Sequence, residues 1–235
     1  LPNFVKRLAN RLNMYNEFVP SVGKIKWGDF QTIKPFSSSF GFDRSGAIDR
    51  YYIENFLEAQ SSSIQGNVLE IADNAYTLKF GKNNVTRSDV LHLMEGAPGA
   101  TYIADLSKAD HLPSDHFDCI ILTQTLQFIY DYNSALKHCH RMLKKGGALL
   151  VTVPGLSPIE AGEWRKNWLW SFNEASMNRV FSELFPNDRF TVEAYGNVYS
   201  AITFLHGVGI DEVQKAKLDF RDPSYDVIIA IKLIK

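Results

Sequence analysis

Short apolar runs, separated by turns and helical segments, dominate the chain from Gly66 onward. Five of these runs have the length and composition of buried strands, and two more follow nearer the C-terminus. Helical segments between them are typical of parallel strands joined by crossover helices. The pattern predicts an α/β fold with a doubly wound, mostly parallel seven-stranded sheet (Rossmann-like). The predicted strands are 67–72, 85–90, 100–105, 117–123, 147–154, 190–195 and 225–234.

Apolar residues at helical spacing predict helices around these strands. The first stretch, up to residue 19, carries Phe4, Leu8, Leu12 and Tyr15 with basic residues between them, as in an amphipathic helix that packs or meets a partner. Residues 20–45 are rich in Pro, Gly, Ser and Phe and predict an ordered loop or flap. Further helices are predicted at 47–60, 131–143, 174–184 and 199–208.

One domain with additions at both ends is the simplest organisation of these elements. Residues 1–60 are expected to form N-terminal helices and a flap. Residues 61–235 are expected to form the ligand-binding domain, with C-terminal insertions on the substrate side.

Composition narrows the class of protein. The 235 residues are 45% hydrophobic and 22% charged, which is ordinary for a globular protein. A net charge of −1 gives no bulk field for nucleic acid, and no apolar run reaches the roughly 20 residues that span a bilayer. Cys119 and Cys139 lack metal or redox spacing, as expected of reduced thiols. We therefore expect a cytoplasmic protein with no nucleic-acid partner and no membrane span.

The ends of the predicted strands carry the candidate binding residues, because ligands of open α/β sheets bind beyond the carboxyl ends of the strands. Glu70 lies at the end of the first strand, Asp89 follows nineteen positions later at the second, and Asp105 ends the third. An acidic residue about 20 positions past the first loop is the expected partner of ribose hydroxyls. Three acidic residues at successive strand ends favour a binding site over three unrelated loop residues.

Several segments resemble class I S-adenosylmethionine (SAM)-dependent methyltransferases. The second half of that family is similar to the segment FDCIILTQTLQFIYDYNSALKHCHRMLKKGGALLVTVPG, which contains the Arg-x-Leu-Lys-x-Gly-Gly turn. The first three strand-end motifs of the family are similar to the segments VLEIADNAY, SDVLHL and YIADLSKADHLPSDHFD. This resemblance covers about residues 66–155. Methyltransferase domains found beside bacterial glycosyltransferases are resembled by FGFDRSGAIDRYYIENFL and RDPSYDVIIAIKLIK. The resemblance implies SAM as cofactor and a glycosyltransferase as a partner or fused domain.

Residue roles follow from the same resemblance. Asp89 would bind the SAM ribose, and Asp105 with the backbone of Leu106 would hold the adenine. Gln124 would lie beside the methionine portion, near the transferred methyl. Tyr51, on the helix before the first strand, would close over the carboxylate end of the cofactor; packing of its ring on the sheet is the alternative.

The loop after the first strand departs from the family pattern. That loop usually runs acidic-x-Gly-x-Gly-x-Gly, and here the acidic residue is Glu70 and the glycine positions hold Ala72, Asn74 and Tyr76. Glycine permits positive φ and close approach of the backbone to the cofactor; Asn tolerates positive φ, and Ala adds only a methyl group. We expect a remodelled loop that binds SAM, with side-chain contacts from Asp73 or Asn74. A non-binding site in a scaffold domain is the alternative.

Methyl transfer to oxygen needs an aligned nucleophile and a proton acceptor. Among the six histidines, His206 in the segment AITFLHG is the candidate base. Gln127 stands where related small-molecule methyltransferases often have His; its amide can orient a hydroxyl but cannot take its proton. No metal site is expected, since His138 and His140 lie at i,i+2 and so on different faces of a helix.

The Trp-rich segment and the family resemblance bear on the acceptor of the methyl group. The segment EWRKNWLWSF is a candidate cap over the substrate cleft, because aromatic faces suit sugar C–H surfaces and planar rings. The expected function is methyl transfer to a small molecule or glycan precursor, first to a saccharide hydroxyl. Natural-product N-, O- or C-methylation and an inactive scaffold are the alternatives, and a homo-oligomer is possible in any of them.

Overall fold

Seven strands form one sheet in the part of the chain that the structure describes, which is residues 2–12, 14 and 18–235 of a computed structural model. The strand order is β3-β2-β1-β4-β5-β7-β6. Strand β7 is antiparallel to both of its neighbours, and β1 to β5 pair in parallel. The predicted doubly wound, mostly parallel sheet is confirmed. Its strands are β1 (Gly66–Ile71), β2 (Val85–His92), β3 (Tyr102–Ile103), β4 (Phe117–Thr123), β5 (Leu143–Pro154), β6 (Arg189–Tyr195) and β7 (Ile228–Ile234).

Most of the helices lie close to their predicted positions. Asp131 caps the third helix by accepting a hydrogen bond from the Ser134 amide, and Asn173 and Asn197 begin the next two with reciprocal capping boxes. The helices are α1 (Asn3–Arg11), α2 (Ile48–Ala59), α3 (Tyr132–Met142), α4 (Glu174–Leu184), α5 (Val198–Leu205) and α6 (Lys215–Leu218).

The first helix is shorter than the apolar spacing predicts. Helix α1 ends at Arg11, with Leu12 as its C-cap, and Tyr15 lies outside the described residues. Residues 20–45 contain only short 3₁₀ turns, at Gly28–Gln31 and Phe42–Arg44, in agreement with the predicted loop.

Several strands begin or end at residues other than those predicted, although their central residues are as predicted. Strand β2 continues through Leu91 to His92, beyond the predicted end at residue 90. Strand β3 is shortened because the chain turns at Asp105, whose carboxylate accepts the Ser107 amide and caps a 3₁₀ turn. Strand β5 begins at Leu143, which pairs with Phe117, so the basic Gly-Gly turn lies inside the strand.

The chain divides into two compact units, Leu1–Lys34 and Pro35–Lys235. This boundary lies upstream of the expected division at residue 60, because α2 packs within the core of the second unit through Ile48, Ile53 and Leu57.

Apolar side chains cover both faces of the sheet. Leu69 packs on one face with α3 and α4, and Val68 packs on the other with α2 and α5. Each fully buried large side chain stabilises the fold by about 1.5–3 kcal/mol relative to exposure. This double burial fixes the carboxyl ends of β1 and β4 side by side, where strand order reverses.

Candidate active site

The edge of the sheet at β1 and β4 is where an open α/β fold binds its ligand. The two strands pair in parallel from Val68 with Cys119 to Glu70 with Ile121, so their ends are neighbours. Two loops leave this edge, residues 72–76 after β1 and residues 124–127 after β4. Both carry sequence-predicted site residues.

Glu70 anchors the first loop from inside the protein. Its side chain is buried, with one oxygen accepting the Tyr76 amide at 3.2 Å and the other accepting the Thr77 amide and hydroxyl at 2.7 Å each. A carboxylate at the start of the following helical turn is favoured by the dipole of that turn. Burial nevertheless raises the pKa of Glu70 to about 6. Glu70 therefore organises the loop, with both of its oxygens already engaged.

Two of the three substituted glycine positions keep features of the usual loop. Ala72 has φ +77°, the left-handed conformation that glycine adopts without strain, and its amide donates to the Leu91 carbonyl at 2.9 Å. The Asn74 amide group donates to the Ser88 hydroxyl at 3.1 Å. Ala72 and Asp73 are both exposed, and Asp73 accepts the Ala75 amide at 2.8 Å. The first half of the loop is therefore open to solvent at Ala72 and Asp73.

The third glycine position takes a different path. Tyr76 has ordinary right-handed helical dihedrals and opens the helical turn Thr77–Gly81. Its ring lies 5.9 Å from the ring of Phe80. The loop is remodelled here, as the sequence predicts.

Asp89 does not lie at the edge. It pairs with Leu69 inside the sheet, three residues before the last residue of β2, which is about 10 Å along a strand. It is 1% exposed, and Arg87 donates to its two oxygens at 2.8 and 3.0 Å. The strand end holds His92, whose Nδ1 accepts the Met94 amide at 3.0 Å.

Asp105 and Leu106 follow β3 at the same edge, because Ile103 pairs with His92. Asp105 accepts the Ser107 amide at 2.9 Å and the Ser107 hydroxyl at 2.7 Å, and the hydroxyl contact holds the Asp105 pKa below its ordinary value. Leu106 is buried.

The loop after β4 carries Gln124 and Gln127. Gln124 has φ +46°, and its amide donates to the Thr152 carbonyl at 2.9 Å. Strained conformations of this kind cluster at functional sites. Gln127 is 1% exposed, and its Nε2 donates to the Gln124 carbonyl at 2.9 Å. Its buried Oε1 has no hydrogen-bond partner among the described residues.

Four aromatic residues form a wall beside this loop; we call Phe40, Phe128, Trp164 and Trp168 the aromatic wall. The Trp168 ring stacks on Phe40 at 6.2 Å and meets Phe128 edge-on at 5.4 Å. The Trp164 ring lies 5.1 Å from Phe128. Phe40 has φ +59°, and the buried indole N–H of Trp168 has no partner among the described residues. The wall thus carries an unpartnered donor on Trp168, and the residue after it, Leu169, is bonded through its amide to the carbonyl of Gln127.

The Trp-rich segment is held to the β4 loop by its backbone. The Gln127 carbonyl accepts the amides of Leu169 at 2.8 Å and Trp170 at 3.3 Å. The indole N–H of Trp170 donates to the Ile129 carbonyl at 3.1 Å. The Trp-rich segment is therefore fixed against the loop after β4.

The start of α2 supplies two residues that the sequence reasoning missed. Arg50 Nη1 donates to the Tyr76 hydroxyl at 3.4 Å, which links α2 to the loop after β1. Asp49 is buried, its Oδ1 has no partner among the described residues, and burial raises its pKa. The hydroxyl of Tyr51 instead donates to Asp219 at 2.6 Å. The signal for them was the Asp-Arg pair at the N-terminus of the helix preceding β1.

His206 lies at the C-terminal end of α5. Its carbonyl accepts the amides of Phe36 at 2.8 Å and Ser37 at 3.3 Å, and its ring lies 5.1 Å from the ring of Phe36. These contacts place it against the flap, and its role as a base stays a prediction.

The described residues offer neither a metal-binding cluster nor a membrane-spanning helix. They contain no group of three His, Cys, Asp or Glu side chains placed to hold a metal ion. None of the described helices has both the length and the apolar character needed to cross a membrane.

The strand order and the edge loops define a Rossmann-like cofactor-binding α/β domain. The sequence matches the family described as Methyltransferase domain over residues 34–191, and the chain belongs to that family. Solved structures show the same fold. A SAM-dependent methyltransferase from Mesorhizobium loti superimposes with a TM-score of 0.55 at 14% identity, covering 81% of this chain and 99% of that one. Phosphoethanolamine N-methyltransferase 2 of Haemonchus contortus, in complex with SAM, gives 0.50 at 14% identity over 75% and 52%.

Curated relatives match only part of the chain. The ubiquinone/menaquinone biosynthesis C-methyltransferase UbiE of Pectobacterium carotovorum is 33% identical over 88 residues, 37% of this chain and 33% of its own length. The chain thus spans about a third of the relatives it matches. The family match therefore shows a methyltransferase domain in this chain, and the solved structures share its fold.

The residues at the edge fit SAM. The cofactor carries an ammonium group and ribose hydroxyls, which are hydrogen-bond donors, and Asp49 offers an unpartnered buried oxygen. The small, left-handed Ala72 leaves the loop backbone open at the first glycine position. Ala72 therefore keeps the backbone conformation that the first glycine position has in the family loop.

Proposed function

We propose that the enzyme transfers the methyl group of SAM to a hydroxyl of a small, ring-containing acceptor, with a saccharide of a glycan precursor as the first candidate. The observation that carries this proposal is the buried, unpartnered Oε1 of Gln127 beside the aromatic wall. An unsatisfied buried acceptor costs about 1–3 kcal/mol, so a bound donor would relieve that cost.

The proposed cofactor position follows the edge from β3 to α2. The adenine would lie near Asp105 and Leu106. The ribose would meet His92, which has taken the strand-end position expected for Asp89; with Nδ1 accepting a backbone amide, neutral His92 carries its proton on Nε2 and can donate to a hydroxyl. The methionine portion would run over the loop after β1, with Gln124 beside it.

The amino-acid end of the cofactor would reach the start of α2. The guanidinium of Arg50 suits the carboxylate, and Asp49 suits the ammonium group. This assignment replaces Tyr51, whose hydroxyl is engaged by Asp219 at 2.6 Å.

The acceptor would lie between Gln127 and the aromatic wall. A hydroxyl can donate to Oε1 of Gln127 and accept from the indole N–H of Trp168, which would satisfy both unpartnered groups at once. Aromatic faces also pack on the C–H face of a sugar ring.

Chemistry at this site is mainly alignment. Bound SAM supplies an electrophilic methyl group on a sulfonium leaving group. Gln127 would orient the acceptor oxygen, and the wall would exclude water. The amide cannot take the proton, so a separate acceptor is needed, with His206 as the candidate.

A second candidate is methylation of a ring carbon. The local similarity to a quinone C-methyltransferase favours it, and the aromatic wall suits a planar ring as well as a sugar. A glycosyltransferase partner or fused domain belongs to the first candidate and would bring the saccharide to this enzyme.

The test is an acceptor panel with methyl-labelled SAM. Sugar nucleotides and lipid-linked saccharides are compared with phenols and demethylated quinones, and products are identified by mass spectrometry. O-methylated saccharide is the expected product. Methylation only of carbon in the planar rings would overturn the proposal in favour of the second candidate.

A Gln127→Ala variant tests the acceptor site in the same assay. Because the amide would orient the nucleophile, we expect turnover to fall about 10- to 100-fold with SAM affinity unchanged. An equal loss from Gln65→Ala, an exposed glutamine just before β1 and so at the opposite end of that strand, would remove that assignment.

A further inference from the structure

Charge is unevenly distributed along the chain. The first compact unit, Leu1–Lys34, contains six basic residues and two acidic ones, a net charge of +4. The whole chain carries −1, so the remaining residues carry −5. The net charge of the whole chain is therefore close to zero because a basic N-terminal unit offsets an acidic remainder.

Part of this charge lines a cleft within the first unit. The cleft has a volume of about 650 Å³ and is lined by Arg7, Lys24 and Lys26 together with the apolar Phe4 and Ile25. None of its lining residues among those described is acidic, while Glu17 lies outside the described residues. Cations beside apolar side chains suit an anionic group on an apolar body.

An apolar surface accompanies the cleft. Phe4 is 74% exposed, Leu8 57% and the C-cap Leu12 61%, and their four-residue spacing places them along one side of α1. Trp27 is 58% exposed in the same unit. Large apolar side chains exposed in this density mark a contact surface.

We propose that the first unit docks the enzyme on an anionic lipid surface. The cations of the cleft would meet lipid phosphates, and the exposed side of α1 would enter the boundary between headgroups and acyl chains. An anionic bilayer offers phosphates to the cations of the cleft and an apolar interior to the exposed side of α1. A hydrophilic acidic partner would instead leave Phe4, Leu8 and Leu12 in water. The −5 of the remaining residues would be repelled by the same surface, which restricts docking to the N-terminal unit.

The experiment is sedimentation of the full chain with vesicles of phosphatidylcholine, with and without phosphatidylglycerol. We expect binding that requires phosphatidylglycerol and falls with salt. Neutralising Arg7, Lys24 and Lys26 to Gln should weaken binding on the order of 100-fold, at about 1 kcal/mol for each basic residue. The variant Phe4→Ser with Leu8→Ser should weaken it by about tenfold or more.

A matched variant changes three exposed lysines of the second unit, Lys82, Lys137 and Lys145, to Gln. It should bind like the unaltered protein. Equal binding to neutral vesicles, an equal loss in this control, or no binding by a chain with native circular dichroism would each overturn the proposal. Binding of inorganic phosphate at the cleft without vesicle binding would do so too, and would indicate a small-anion site.

Discussion

At the scale of single residues, the loop after β1 lacks the glycines of the family pattern but keeps a left-handed residue at the first of their positions. Glu70 holds the loop from behind through two backbone amides, and Ala72 adopts the left-handed conformation at φ +77°. For an L-residue that conformation costs about 1–2 kcal/mol, so the substitution has been accepted at the expense of strain.

The strain at Ala72 gives a stability prediction. Ala72→Gly should raise the free energy of unfolding by about 1 kcal/mol, because glycine adopts positive φ freely. Ala75→Gly is the matched control, since Ala75 has no positive φ and begins a helical turn; it should lower stability by about 0.5–1 kcal/mol. Urea denaturation measures both. A destabilised Ala72→Gly would show that the loop has no such strain.

Glu70 gives a pH prediction. Burial raises its pKa to about 6 from 4.5, so between these values the folded state binds more protons than the unfolded state. Stability contributed by this group is therefore greatest at low pH and falls as pH rises through about 4.5 to 6, by up to about 2 kcal/mol. Glu70→Gln should lack this dependence of stability on pH.

The measurement is the difference in unfolding free energy between Glu70→Gln and the unaltered protein over that pH range. Taking the difference removes the opposite contribution of carboxylates with lowered pKa, such as Asp105. A difference that stays constant with pH would show that Glu70 ionises normally.

At the scale of elements, the centres of strands and helices could be predicted from the sequence, but their ends only for some elements. Strand β4 and helix α4 lie where their patterns predict, at Phe117–Thr123 and Glu174–Leu184. Periodicity reports the buried centre of an element, while ends depend on neighbours. Strand β2 runs on because Leu91 pairs with Ile71 of β1 and Tyr102 of β3.

The longer β2 changes which residue lies at the strand end. Each residue beyond Asp89 moves that end about 3.3 Å further along, so the spacing of Asp89 from Glu70 predicts a ribose contact that the strand end assigns to His92. Contacts between distant parts of the chain could not be predicted from the sequence either. Phe40 and Trp168, for example, are separated by more than half the chain and stack on each other. The family and its edge loops were predictable; the partners of each side chain were not.

The ribose contact can be tested by comparing two variants. His92→Ala should weaken SAM binding about 2- to 10-fold, the loss of one neutral hydrogen bond. Asp89→Asn should leave SAM affinity unchanged and lower stability, because it removes the charge that Arg87 pairs with. Calorimetric titration decides between them, and the reverse ranking would return the ribose to Asp89.

The start of α2 can be tested with a truncated ligand. Arg50→Gln should weaken binding of S-adenosylhomocysteine by roughly 10- to 100-fold, since a charge-assisted hydrogen bond is worth about 1.5–3 kcal/mol. Methylthioadenosine, which lacks the amino-acid end, should bind the variant and the unaltered protein equally. Equal loss for both ligands would mean that Arg50 only supports the loop through Tyr76.

At the scale of the whole molecule, the chain combines a methyltransferase unit with a basic, apolar N-terminal unit. Docking on an anionic surface would bring the enzyme to acceptors carried by lipids, a class that includes both lipid-linked saccharides and quinones. Membrane docking does not depend on which acceptor is methylated, since vesicle binding is measured without any methyl transfer.

Binding of the cofactor by the remodelled loop is measured by calorimetric titration of the full chain with SAM and with S-adenosylhomocysteine. We expect saturable, one-to-one binding of both ligands with a Kd on the order of micromolar, about −8 kcal/mol. Absence of binding to either ligand, in a chain shown to be folded by circular dichroism, would contradict this expectation.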